Sequence, residues 1–246
     1  EKKTCGERNP DGFLDSLRSR VSAPASVEWA EMDRFDYGKG TGRRICYAPE
    51  DGILLPADIL IPPDAKEVTV LLDDADRRTD LQWQLSVAAR GSVVVRPDLR
   101  GWGETVTAED WADWEGWARN LYASNRYRLS ALARITGRSI VLDRAGDVLG
   151  LLRVIEDLLP NLPIGVHGRG GGAWIALLAA LVDGRFQRVE LDRYPASFRD
   201  LMECDMPLLP ADTYLKDYLT WGIDVEDLIE AFDGEVRTRR PLYTGE

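Results

Sequence analysis

Ile164-Gly165-Val166-His167-Gly168-Arg169-Gly170-Gly171-Gly172-Ala173, continued by Trp174-Ile175-Ala176-Leu177-Leu178-Ala179-Ala180-Leu181, reads as a short apolar strand, a glycine-packed turn and a helix that starts directly from the turn. Glycine tolerates positive φ and lets another backbone or a ligand approach closely. The first turn of a helix offers free N–H groups and a partial positive charge. Two chemistries share this layout. A nucleophile elbow, Gly-x-Ser-x-Gly, lifts a serine hydroxyl clear of a sheet and uses the next N–H as an oxyanion donor. A dinucleotide fingerprint, Gly-x-Gly-x-x-Gly/Ala, seats a pyrophosphate over the helix start. The registers Gly168-x-Gly170-x-Gly172 and Gly168-x-Gly170-x-x-Ala173 satisfy the two patterns, except that the elbow's nucleophile position is Gly170. It has no side chain, and no Ser, Cys or Asp stands in for it within the turn.

Outward from the turn, strands and helices alternate. Val68-Thr69-Val70-Leu71-Leu72, Ser92-Val93-Val94-Val95 and Arg188 to Asp192 read as strands, the first two as the apolar runs of buried parallel strands. Leu81 to Ala89 reads as a helix, and so does the stretch carrying Val148, Leu149, Leu151, Leu152, Ile155 and Leu158, stopped by Pro160 and Pro163. Upstream, Arg43 to Tyr47 and Ile53 to Ile61 form a hairpin around Pro49-Glu50-Asp51-Gly52. The pattern implies an α/β fold with a doubly wound, mostly parallel sheet in a three-layer sandwich. Residues 1–26 read as a polar extension with a short helix at Phe13 to Leu17, and 27–246 as the domain. Arg239 to Tyr243 is where a last strand is expected to begin, so the sheet is expected to lack its final strand. Ligands of such sheets sit beyond the carboxyl ends of the strands, which selects the loops Asp73 to Arg78, Asp98 to Thr105 and Gly168 to Gly172.

Composition narrows the function classes. The chain has 246 residues, 44% hydrophobic and 30% charged, as in a soluble globular protein. A net charge of −11 argues against nucleic acid and anionic membrane as partners. No apolar run reaches the roughly 18 residues of a membrane span. The chain starts at Glu1, not Met, as expected of a processed chain, secreted or periplasmic. Cys5, Cys46 and Cys204 allow at most one disulfide and imply no zinc site.

Asp98-Leu99-Arg100-Gly101-Trp102-Gly103-Glu104-Thr105 resembles the Asp-x-Arg-Gly-Gln-Gly loop of the acetyl-xylan esterase branch of the α/β-hydrolase superfamily, esterases of acetylated sugars and cephalosporins, with Trp102 where that branch has Gln. Arg138 to Leu149 resembles the helix leading to its elbow strand, and Asp192 to Leu201 the segment after the next strand. The likeness covers roughly residues 40 to 235. It implies an α/β-hydrolase-like fold, a crevice formed by Arg100, Gly101 and Trp102, with Arg100 bracing the loops, and oxyanion donors from Gly171 and from one of Asp74, Ala75 and Asp76. The branch's catalytic acid and histidine follow later strands, near or beyond Glu246. His167, the one histidine, precedes the turn and cannot take the base position. A serine relay needs nucleophile and base within hydrogen-bond reach, and this chain supplies neither.

The expected reading is therefore a catalytically degenerate esterase-like domain, a binding or structural module in carbohydrate-related biology, with no cofactor and no metal, taking a carbohydrate ligand and completed by a further domain or subunit. Two alternatives stand beside it. One is an active carbohydrate esterase using non-standard residues or a partner segment. The other is a dinucleotide-binding module with Asp192 on the ribose. Asp73, Asp74, Asp76, Asp98 and Glu104 could act as acid and base or hold Mg²⁺ or Ca²⁺, or simply cap helices. Arg77, Arg100 and Arg169 could bind an anionic sugar such as a uronate. His167 and Arg169 could equally be a packed strand-end residue and a surface ion pair. Ser139 reads as a helix cap. Trp111, Trp114 and Trp117 share a helix face, suited to packing or to stacking on sugar rings.

Overall fold

Five short strands run side by side and parallel through the middle and one end of a single sheet: β5 (Ser92–Pro97), β4 (Glu67–Asp73), β6 (Ile164–Arg169), β7 (Phe186–Asp192) and β8 (Glu235–Arg239). An antiparallel meander of β1 (Glu28–Tyr37), β2 (Gly40–Glu50) and β3 (Ile53–Ile61) joins β5 through β3, giving the order β1-β2-β3-β5-β4-β6-β7-β8. The computed structural model describes residues 8–21, 23–74, 77–78, 80–106, 125–203, 211–215 and 221–242.

Period-two alternation sends the two sides of each strand to different layers. Val68, Val70 and Leu72, with Val93, Val95 and Val166, face the main core beneath α1 (Pro10–Arg20), α4 (Ile140–Leu158) and α5 (Gly171–Val182). Leu60, Leu71 and Val94 face the other way and are covered by Trp83, Val87 and Ala88 of α2 (Leu81–Ala88). The result is the three-layer α/β architecture the alternation implies. The smaller helices are α3 (Asn125–Ile135), α6 (Phe198–Glu203) and α7 (Val225–Glu230). Among the described residues, no helix is long and apolar enough to cross a membrane.

Three features differ from the sequence reading. Strand β1 is mostly exposed, with only Trp29, Phe35 and Tyr37 half-buried, so no regular apolar alternation announces it; it forms by pairing along β2. The last strand lies at Glu235–Arg239, upstream of the expected Arg239 to Tyr243, because Pro241 has no N–H for a ladder; Leu242 makes only an isolated bridge to Pro195. The expected short helix in the amino-terminal segment runs over the whole of Pro10–Arg20, capped by Asn9, and its Phe13, Leu14 and Leu17 are buried.

Candidate functional site: the strand-to-helix turn

Gly170 caps α5 with φ 55° and ψ −125°. An L-residue with a side chain is strained there, at roughly 1–3 kcal/mol, and glycine is not. Its N–H donates to the Asp192 carbonyl (3.0 Å), and its own carbonyl accepts from the Ala173 N–H (3.1 Å). These two bonds fix the turn between β6 and α5. A Cβ built on Gly170 would point into open space, with Asp74 Oδ1 the nearest atom at 3.8 Å. The position thus has the room, and the sharp backbone, that an elbow nucleophile uses, and it carries no atom there.

The walls come from four loops. Asp74 follows β4. Trp102 lies after β5, and its Cζ2 stands 3.6 Å from where a Gly171 Cβ would be. Thr213, buried in the short 3-10 turn Ala211–Thr213, would be 2.5 Å from the same Cβ. Arg126, at the start of α3, reaches across: its Nη1 donates to Asp74 (3.0 Å) and its Nε to Asp212 (2.9 Å). Beneath it, Arg144 of α4 stacks on Trp102 at 4.3 Å and donates through Nη2 to Asp212 (2.7 Å), while Trp102 Nε1 donates to Asp212 as well (3.3 Å). Burial pushes the Asp212 carboxyl up, but Arg144 and Arg126 outweigh it and hold it below the usual carboxylate range. Asp74, the side chain nearest the turn, is thus tied through Arg126 to Asp212 in a guanidinium–carboxylate lattice.

The sequence-selected residues divide into those at this crevice and those holding its loops. Asp74, Trp102, Gly170 and Gly171 meet there. Arg77 is fully buried and turned inward onto Asp58, Asp98 and Glu104. Asp98 also accepts from the Arg77 and Glu104 N–H groups (2.8 and 3.1 Å), and burial raises its pKa. Gly101 turns the chain at φ 75°. Arg100 pairs with Asp147 of α4 and with Glu50 at the end of β2, so it ties the loop to the α4 layer, not to the turn. Arg169 lies over the Trp83 ring at 3.5 Å and pairs with Asp80. Asp192 is almost fully buried, accepts from Arg240 Nε (2.8 Å) and faces Arg169 at 3.5 Å; the carboxylate a ribose would use is spent on these two cations. Ser139 is the N-cap of α4 but makes no side-chain cap bond. Among the described residues no cluster of three or more His, Cys, Asp or Glu is arranged to hold a metal. Cys46 is a free thiol. Ala75, Asp76, Trp111, Trp114, Trp117, Cys5 and Cys204 lie outside the described residues.

His167 belongs to the opposite face of the sheet. It packs edge-on against Trp83 at 4.9 Å, and its Nδ1 is 3.7 Å from Glu190 Oε2. Burial lowers its pKa to about 4, with Glu190 opposing the shift. In the unfolded chain the same imidazole takes up its proton near pH 6.5. Between those values the unfolded state binds more protons, so stability falls as pH drops from about 6.5 towards 4, by up to about 3 kcal/mol. Denaturant midpoints measured at pH 7.0 and 4.5 should fall further for the natural chain than for His167→Gln. Equal falls would mean that His167 is protonated in the folded state.

Arg126, Arg144, Asp147 and Asp212 carry this region and were not selected from sequence. A signal existed for two of them: Arg144 and Asp147, at i and i+3, sit among the apolar positions of the buried part of α4, where an unpaired charge would not be tolerated. Arg126 opens α3 and Asp212 lies in a short 3-10 turn, and the two become partners only through the fold.

No protein-family model matches the chain, and no curated protein matches it. Solved structures do match. A Bacteroides fragilis structure provisionally assigned as an acetyl xylan esterase superposes with TM-score 0.74 at 12% identity, over 93% of this chain and 66% of that one. This chain thus spans just under two thirds of that protein's length. Acetyl xylan esterase 1 from a Thermoanaerobacterium species gives 0.55 at 16% identity over 96% and 79% of the two chains. Acetyl xylan esterase from a Paenibacillus species gives 0.56 at 15% over 100% and 92%. The fold is α/β-hydrolase-like and similar to that of acetyl xylan esterases.

Proposed function

We propose that this chain is an esterase-like scaffold that has given up covalent ester hydrolysis and serves as a carbohydrate-binding domain. The observation that carries the reading is Gly170. The residue holds the backbone of an elbow, at φ 55° and ψ −125° with open space above it, and offers no nucleophile. A hydroxyl or thiol attacks only when a base stands within hydrogen-bond reach, and the single histidine is buried on the other face of the sheet. The Arg126 bridge between Asp74 and Asp212 supports the same reading, because it engages the carboxylate nearest Gly170 in an ion pair. The carbohydrate assignment rests on the likeness of fold to acetyl xylan esterases.

Initial rates with p-nitrophenyl acetate and with acetylated xylo-oligosaccharides test it. The expected rate is that of buffer alone, unchanged in Asp74→Asn. Turnover well above background, abolished by one substitution such as Asp74→Asn, would show a working hydrolase using a carboxylate in place of serine.

A further inference from the structure

A cavity of about 550 Å³ lies away from the glycine turn. It opens between the last turn of α1, the end of β2 and the first turns of α4. That volume is within the range of small-molecule sites. Its polar lining is a ladder of fixed charges. Arg138 donates to both oxygens of Glu50 (2.7 and 2.8 Å) and to Asp143 (3.1 Å), and Arg100 donates to Glu50 (2.9 Å). The Arg138 hydrogen bonds, joined by Arg100, hold the Glu50 carboxyl down at about 2. These groups are donors and acceptors held in place before any ligand arrives, which lowers the cost of ordering them on binding.

Two lining groups are left over. Arg20, on the exposed last turn of α1, has no carboxylate partner among the described residues, whereas Arg100 and Arg138 are paired with Asp147, Glu50 and Asp143. The Ser139 hydroxyl makes no cap bond. We infer that this cavity binds an acidic oligosaccharide, with the ligand carboxylate on Arg20 and its hydroxyls on Ser139 and on the Arg138–Glu50–Asp143 ladder. A sugar hydroxyl both donates and accepts, and so fits a lining where guanidinium and carboxylate alternate. A guanidinium matches a carboxylate with two parallel hydrogen bonds. On a chain of net charge −11, an arginine not matched by a carboxylate, as Arg20 is among the described residues, is where an anionic group can settle. The inference deepens the proposed carbohydrate role and rests on it, but it moves the ligand away from the turn.

Calorimetric titration of the whole chain at low salt with trigalacturonate, xylotriose and glutarate separates charge from hydroxyl recognition. Trigalacturonate is expected to bind at least about tenfold more tightly than either of the others. Arg20→Glu, at an exposed position with an unchanged melting temperature, is expected to weaken it on the order of tenfold or more, while Asp74→Ala leaves it unchanged. Absence of saturable trigalacturonate binding overturns the inference, as does binding indifferent to Arg20→Glu or lost in Asp74→Ala. Glutarate binding as tightly as trigalacturonate would overturn it too, leaving a simple anion site and removing the support for a carbohydrate role. Ester hydrolysis is measured separately and is untouched by any of these outcomes.

Discussion

Replacing Asp212 with alanine lowers the stability of the fold by about 3–5 kcal/mol, the cost of breaking a buried ion pair from one side. The carboxylate is fully buried and is the common acceptor for Arg144, Arg126 and Trp102. Arg126 keeps Asp74. Arg144 does not have that alternative: its side chain is fully buried, and its remaining bonds are to the carbonyls of Arg100 (2.9 Å) and Asp212 (3.0 Å). Removing Asp212 leaves a guanidinium in the interior with no opposite charge in contact. Asp212→Asn keeps the shape and one acceptor and should lose less. Denaturant unfolding of the two variants checks the order. A loss below about 1 kcal/mol for Asp212→Ala would mean that water already reaches Arg144.

Gly172→Val is the second large effect, a loss of at least about 3 kcal/mol or failure to fold, at or beyond the upper end of ordinary overpacking. A Cβ at 172 would stand 2.3 Å from the Leu72 carbonyl oxygen and 2.5 Å from its carbon, so α5 rests directly on the backbone of β4. Gly168 is closed in the same way, with a Cβ 2.3 Å from the Gly172 carbonyl oxygen. Neither contact can be relieved by a side-chain rotation. Gly170, between them, faces open space and is restricted by its φ alone. Gly172→Ala should therefore cost clearly more than Gly170→Ala, which is expected to lose about 1 kcal/mol. Melting temperatures of the pair decide it, and equal losses would contradict the close seating of the helix.

The same three glycines explain what the sequence could disclose. Gly168 and Gly172 are required by backbone packing, and Gly170 by its dihedrals, so the motif is local and could be read directly. The apolar runs of β4, β5 and β6 are local in the same sense, since burial on both faces favours apolar residues, with Thr69, Arg96 and His167 among the exceptions. Strand β1 escaped because most of its side chains are solvated and the half-buried Trp29, Phe35 and Tyr37 are too irregularly spaced to signal a strand. The site's charged lattice escaped for a different reason. Asp74, Arg126, Arg144 and Asp212 come from four separate stretches, and the choice of partner is made in three dimensions. Arg77, read as ligand-facing from its loop, is turned inward instead, drawn to the buried carboxylate of Asp98, while Arg100 braces its loop by pairing with Asp147.

Incubating the intact chain with a fluorophosphonate, then recording its mass and mapping its peptides, asks directly whether any serine is activated. The expected spectrum is that of the unmodified protein, under conditions where an active serine esterase is labelled to completion. Stoichiometric labelling of a single serine would contradict the absence of a nucleophile at the β6–α5 turn and identify the chain as a functioning ester hydrolase.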